Sequence, residues 1–173
     1  MKYLLILFTV IGTLGAGITL PAGMEARFVQ KVTNPKKEVI RYTGEMIMDN
    51  GKRFKWSYRS PTRKEVCSDG KRVIVVDHDL EQVSFYRMDK GFDLGAVLKR
   101  ARHYKDNLYT ARYQGRTYTL AVDGKGRIEQ IAYRDDMDNV VNIHLQKLKT
   151  LSSPPSAAQM RCTYPKSYDR IEG

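Results

Sequence analysis

The sequence predicts a mainly β chain with a short helical insertion, of the α+β class, and three observations carry that prediction. Segments of five to eight residues with apolar side chains at every second position recur along the chain. Short polar turns rich in Gly and Asp separate them. One segment alone switches to the 3.6-residue period of a helix. Consecutive strands joined by tight turns pair antiparallel, so the expected architecture is an antiparallel sheet, closed into a barrel or strongly curved into a half-barrel.

Taken in order, the strands begin with RFVQKV (Arg27–Val32), followed by the turn TNPKKE and VIRYTGEMIM (Val39–Met48). After DNGK comes RFKWSYRS (Arg53–Ser60), the loop SPTRK, and EVC (Glu65–Cys67). The turn SDGK leads into RVIVVDHDLEQVSFYRM, whose acidic middle marks a turn. Next is FDLGAVLKRARHY, where Leu94, Val97, Leu98 and Ala101 follow i, i+3, i+4, i+7 and Asp93 stands at the N-cap. Lys99, Arg100 and Arg102 occupy the other side and suit the negative end of the helix dipole. This helix either packs on the sheet as core or forms a plug or lid over its opening. NLYTARY, TYTLAV, RIEQIAY and NVVNIHLQKL resume the strand rhythm across the turns QGR, DGKG and RDDMD. SSPPS ends the run, and MRCTYP (Met160–Pro165) is expected to be a last short strand.

The first well-marked hairpin fixes its own register. A two-residue turn at Asn50-Gly51 pairs Asp49 with Lys52 and sets Met46 and Met48 on the face of Arg53 and Lys55. A three-residue loop, Asn50–Lys52, instead sets Met48 opposite Phe54, Met46 opposite Trp56 and Gly44 opposite Tyr58. A one-residue slip exchanges the two faces, so the apolar match selects the longer loop. The resulting face holds two flexible thioethers, three aromatic rings and a glycine that leaves a gap. It fits either a cavity lining or a packed core.

The N-terminus carries an export signal: basic Met1-Lys2-Tyr3, the apolar run Leu4–Leu14, then small residues Gly15-Ala16-Gly17. Residues 1–17 are expected to be cleaved, leaving 18–173 as one domain; the alternative is an uncleaved anchor, against which stand Pro21 and the glycines of this stretch. The net charge of +11 then falls to +10 as Lys2 leaves. Export removes the nucleic-acid reading of that charge. Acidic partners, an anionic membrane surface, or a merely solvated basic surface remain. Cys67 and Cys162 form a disulfide in an oxidising compartment or are two buried thiols. Neither lies at the start of the mature chain, where a lipid anchor would need a cysteine.

No motif for catalysis, a metal or a nucleotide stands out. His78, His103 and His144 are scattered, and Asp77-His78-Asp79 has the features of a strand end. A non-enzymatic role without cofactor or metal is expected, and any transport must run downhill on differences in affinity.

The order of Phe28-x-Gln30, Gly44 in YTGEM, RFKWSY before Pro61, Ser68-Asp69-Gly70-Lys71 and DHDLEQV resembles the periplasmic outer-membrane lipoprotein carrier family, LolA. The likeness continues through the Asp93–Ala101 helix, DGKGRI and MRCTYP. It implies a curved, incomplete antiparallel β-barrel around a hydrophobic cavity, with a helical lid or plug. It also implies a soluble, monomeric periplasmic carrier for acylated lipoproteins; the alternatives are an exported carrier or sensor of another lipid or glycolipid on the same fold, or an envelope interaction module with a packed core. The cargo would come from an inner-membrane ABC lipoprotein-releasing complex and pass to an outer-membrane lipoprotein receptor. The implied lipid-binding residues are Met46, Met48, Phe54, Trp56 and Tyr58 on the sheet, with Leu94, Val97 and Leu98 on the helix. The chain departs from the family pattern twice. Only ITLPAGMEA separates the expected cleavage site from the Phe-x-Gln strand, where family members typically have a long amphipathic helix, and Asn50-Gly51 stands where many carry an Arg-Pro turn.

Overall fold

Alternation of apolar and polar residues extends along most of the chain, and in the computed structural model it becomes a single sheet of twelve strands. The structure describes residues 18, 20–50, 53–87 and 93–172; the proposed signal segment and the tip Gly51-Lys52 lie outside them. The strands are β1 Gly23–Thr33, β2 Val39–Asp49, β3 Arg53–Ser60, β4 Lys64–Asp69, β5 Arg72–Asp77 and β6 Gln82–Arg87. After helix α1, Leu94–Lys99, come β7 Arg102–Lys105, β8 Leu108–Tyr113, β9 Arg116–Val122, β10 Ile128–Arg134, β11 Val140–Leu151 and β12 Asp169–Glu172. The order is β12-β6-β5-β4-β3-β2-β1-β11-β10-β9-β8-β7. Neighbours pair antiparallel except β12, which runs parallel to β6. The sheet is curved and unclosed, with edges at β7 and β12.

One face is the inside. Met24, Ala26 and Phe28 on β1, Met46 and Met48 on β2, Phe54 and Trp56 on β3, and Leu120, Ile131 and Ile143 across the curve join one buried cluster. Helix α1 lies in it through Leu94, Val97 and Leu98. The β2–β3 register is the one expected from the apolar match: Met48 opposite Phe54, Met46 opposite Trp56, Gly44 opposite Tyr58. Asp49 braces the turn, accepting from the Arg53 backbone N–H at 3.2 Å and from its Nε at 2.7 Å. The gap expected at Gly44 is filled. A Cβ there would meet the Ser57 carbonyl and lie 2.7 Å from the Phe28 ring, so glycine is what lets Phe28 lie across β2.

Two elements differ from expectation. The helix stops at Lys99, with Arg100 as its C-cap, and does not reach Ala101. Residues 102–105 instead pair with β8 across the tight turn Asp106-Asn107, where Asp106 takes φ 50°. An αL-tolerant Asp makes that hairpin available, and the pairing satisfies a backbone that a longer helix would have used. MRCTYP is not a strand. It is an extended strap across the outer face of β3–β5, held by a Cys67–Cys162 disulfide with Cα atoms 5.8 Å apart. Its polar backbone is met by side chains rather than by a neighbouring strand. Lys55 Nζ donates to the Arg161 carbonyl (3.2 Å), and Glu65 accepts from the Thr163 N–H (3.2 Å), while Lys55 and Glu65 pair at 2.8 Å. Beneath the strap, Val76, Val83 and Phe85 form a second buried cluster with the disulfide, flanked by Ile74, Tyr164 and Tyr168. Strands β4–β6 are therefore covered on both faces.

Candidate functional site

Alternation puts Phe54, Trp56 and Tyr58 on the inner face of β3. There they form one wall of a cavity of about 110 Å³. Gln30, Val66, Val73, Tyr133 and Ile143 complete its lining. The rings interlock around Phe28, whose centroid is 4.9 Å from that of Trp56 and 5.0 Å from that of Tyr58. Phe54 and Trp56 are each 5 % exposed, so they combine core packing with a side turned to the cavity.

The polar groups of the lining are neutral. Tyr58 Oη donates to Gln30 Oε1 at 2.9 Å, and burial pushes its phenol far above the ordinary tyrosine range. Burial, with smaller contributions from the Tyr118 phenol and the Asp135 carboxylate, raises Tyr133 to about 12. The lining thus holds two unionised phenols and an amide among hydrocarbon. Such a surface accepts an apolar guest and penalises a charged one.

All eight residues singled out from the sequence converge on the same interior. Phe54, Trp56 and Tyr58 line the 110 Å³ cavity. Met46, Met48, Leu94 and Val97 are packed in the cluster beside it. Leu98 borders a second cavity of about 210 Å³, together with Ile18, Met24, Ile128, Leu148, Lys125 and Arg127. Sequence reasoning missed Val66, Val73, Tyr133 and Ile143 as lining. Val66 and Val73 follow from the pairing of β3 with β4 and of β4 with β5, but Tyr133 and Ile143 arrive only through the curvature.

Helix α1 is short but well terminated. Asp93 Oδ1 accepts from the Ala96 N–H at 2.9 Å, as the sequence predicted. The Asp77-His78-Asp79 cluster is taken up structurally. Asp77 accepts from the Asp79 and Leu80 N–H groups, Asp79 pairs with Arg63, and His78 Nδ1 lies 3.2 Å from Tyr168 Oη. Glu65, Cys67 and Cys162 are the one grouping of metal-ligand types among the described residues, and both sulfurs are already joined to each other.

An unclosed β half-barrel with a helix laid against its inner face is the fold that the sequence resemblance implied, and comparison with known proteins agrees. The structure superposes on a LolA superfamily protein from Nitrosomonas europaea with TM-score 0.51, at 8 % identity over 84 % of this chain and 93 % of that one. An uncharacterized conserved protein from Thermus thermophilus gives 0.56, at 12 % identity over 89 % and 92 %. At these identities the likeness shows the fold. Residues 21–93 match the family described as outer membrane lipoprotein carrier protein LolA. The outer-membrane lipoprotein carrier protein of Helicobacter hepaticus is 30 % identical over 86 % of this chain and 83 % of its own. That of Campylobacter jejuni is 29 % identical over 98 % of both. The chain belongs to the outer-membrane lipoprotein carrier protein family.

Proposed function

We propose that this protein is an exported periplasmic carrier that shields lipoprotein acyl chains between the two membranes. It receives them from an inner-membrane ABC lipoprotein-releasing complex and passes them to an outer-membrane receptor. The observation that carries the reading is the neutral aromatic cavity behind Phe54, Trp56 and Tyr58, with α1 packed beside it. No helix among the described residues is long and apolar enough to cross a membrane.

Volumes define the mechanism. At about 110 Å³ the cavity resembles an engineered core cavity that takes one benzene, and a whole acyl chain needs more room. Lifting Leu94, Val97 and Leu98 out of the interior supplies it. Their burial contributes about 1.5–3 kcal/mol each, or roughly 5–9 kcal/mol together. A chain of about fifteen methylenes recovers about 12 kcal/mol on leaving water. The exchange is favourable by a few kcal/mol, which suits a cargo that must be both held and released. In this reading α1 is a plug that the acyl chain replaces.

Phe54→Glu tests the assignment. If this face lines a cavity open to solvent, the variant is expected to keep its cooperative melting transition while losing retention of a fluorescent fatty acid and transfer of lipoprotein; loss of the fold would instead assign Phe54 to the packed core, where a carboxylate is unpaired. Wild-type retention and transfer by this variant would refute the cavity assignment. A companion test extracts material bound to the protein isolated from its native envelope. Acylated lipoprotein is expected, whereas free lipid alone points to a different cargo.

A further inference from the structure

The β1–β2 hairpin runs past the cavity as a lip of the inner face. On β1, Phe28, Gln30 and Val32 succeed one another on that face, and opposite them on β2 stand Gly44, Tyr42 and Ile40. Gln30 lines the cavity, and the Tyr42 ring meets Tyr58 at 5.8 Å. The row therefore leads from the cavity wall through Tyr42 to Ile40, which is 48 % exposed. Val39, next to it in sequence and on the opposite face of β2, is 57 % exposed. The hairpin end thus leaves an aliphatic side chain in water on each face.

The same hairpin is basic. Lys31, Lys36, Lys37 and Arg41 are all exposed, and the one acid between them, Glu38, is bound to the Asn34 side chain at 2.6 Å. The tip is a defined turn. Asn34 Oδ1 accepts from the Glu38 N–H, the Asn34 carbonyl accepts from the Lys37 N–H, and Lys37 sits at φ 71°. The neighbouring tip between β10 and β11 offers a third exposed apolar side chain, Met137, at 74 %. Of its three acids, Asp135 and Asp136 are engaged by Asn139 and Arg116, and Asp138 is exposed. Aliphatic side chains among cations, on a rigid turn, complement one kind of surface. Anionic headgroups attract the cations, and the acyl boundary accepts the side chains.

We infer that the Lys31–Arg41 hairpin docks on an anionic bilayer surface, with Val39 and Ile40 dipping below the headgroups, so that the carrier is held beside the membrane while the releasing complex or the receptor exchanges an acyl chain with the cavity past Ile40 and Tyr42. This rests on the carrier reading for its purpose, but the docking is measurable without cargo. Purified protein is expected to float with vesicles of phosphatidylglycerol mixed with phosphatidylcholine and not with phosphatidylcholine alone. Each basic side chain near such a surface strengthens binding about five-fold, so Lys36→Gln/Lys37→Gln should weaken it about 25- to 30-fold. Arg102→Gln/Lys105→Gln removes the same charge from the exposed strand β7 and should leave it far stronger than in the hairpin variant. A fluorophore on Val39→Cys should shift to the blue with the mixed vesicles only. Absence of vesicle binding by the wild-type protein, or equal losses in the two double variants, overturns the inference. Retention of a fluorescent fatty acid, measured in parallel, keeps the two readings apart. If docking fails while retention persists, the hairpin inference alone falls; if hairpin-dependent docking occurs without retention, the carrier reading falls.

Discussion

If α1 is a plug, weakening its closed state should make the protein bind acyl chains more tightly. Asp93→Ala is the cleanest perturbation, because Asp93 caps the helix through one bond, Oδ1 to the Ala96 N–H at 2.9 Å. In a six-residue helix one cap is a large share of the local order. Losing an N-cap of this kind costs about 1 kcal/mol. That cost falls on the docked helix and not on the form in which the helix has left the interior. The open population rises about five-fold, and apparent affinity rises by the same factor while the open form is the minor one. Titration with a fluorescent fatty acid reads the gain, and urea unfolding of the same sample reads the expected loss of about 1 kcal/mol. Asp93→Asn keeps a good cap and should restore both values towards wild type. Unchanged or weaker binding by Asp93→Ala, with the stability loss present, would show that the helix does not compete with the guest.

Two further outcomes concern the scaffold. The Cys67–Cys162 disulfide spans 95 residues, so replacing both by Ala should cost up to about 4–5 kcal/mol in urea unfolding, with β4–β6 the first to lose hydrogen-exchange protection. A loss below about 1 kcal/mol would mean that the unfolded chain gains little freedom from the cut. Tyr133 ionises near 10.0 when unfolded but at about 12 in the folded protein. A raised phenol pKa contributes stability that is complete below pH 10 and lost as pH rises towards 12. Unfolding midpoints should therefore fall steeply across that range, by up to about 3 kcal/mol for this residue, and Tyr133→Phe should flatten the fall. An equally steep fall in the variant would place the alkaline sensitivity elsewhere.

What the sequence conveyed, and what it did not, divides along the range of the interactions. The β2–β3 register was legible because the choice between two loop lengths decides which face Met46 and Met48 occupy, and only one choice joins apolar to apolar. The Asp93 cap was legible because capping is a three-residue affair. Helix length was misjudged because Ala101 continues the helical period, whereas the competing hairpin at Asp106-Asn107 is decided by pairing with β8. The strap was mistaken for a strand because Cys162 and Tyr164 alternate like one. Their partners, Cys67 and the side chains of β5 and β6, lie about ninety residues away. Tyr133 had no local mark at all: β10 stands four pairings from β3 in the sheet order, and only the curve brings them across one cavity.

That division also bears on which part of the interior can yield. Phe54, Val66 and Val73 reach the cavity from β3, β4 and β5, the strands whose outward residues Lys55, Cys67 and Ile74 lie against the strap. Moving this wall outward would disturb the Lys55–Glu65 pair, its bonds to the strap backbone and the apolar cluster under it. The pair is half-buried, and the directional bonds it makes with the strap, together with the disulfide beside it, tie this wall in place. The opposite boundary is different. Helix α1 is six residues long, and Leu98 already borders a space of about 210 Å³. Its three inward side chains are held by burial alone, an interaction that an incoming acyl chain replaces in kind. On the proposed plug mechanism, the wall tied to the strap stays, and the helix, held by burial and by Arg100 stacked on Tyr113, moves. A carrier working in that way admits a large apolar guest without unfastening its sheet.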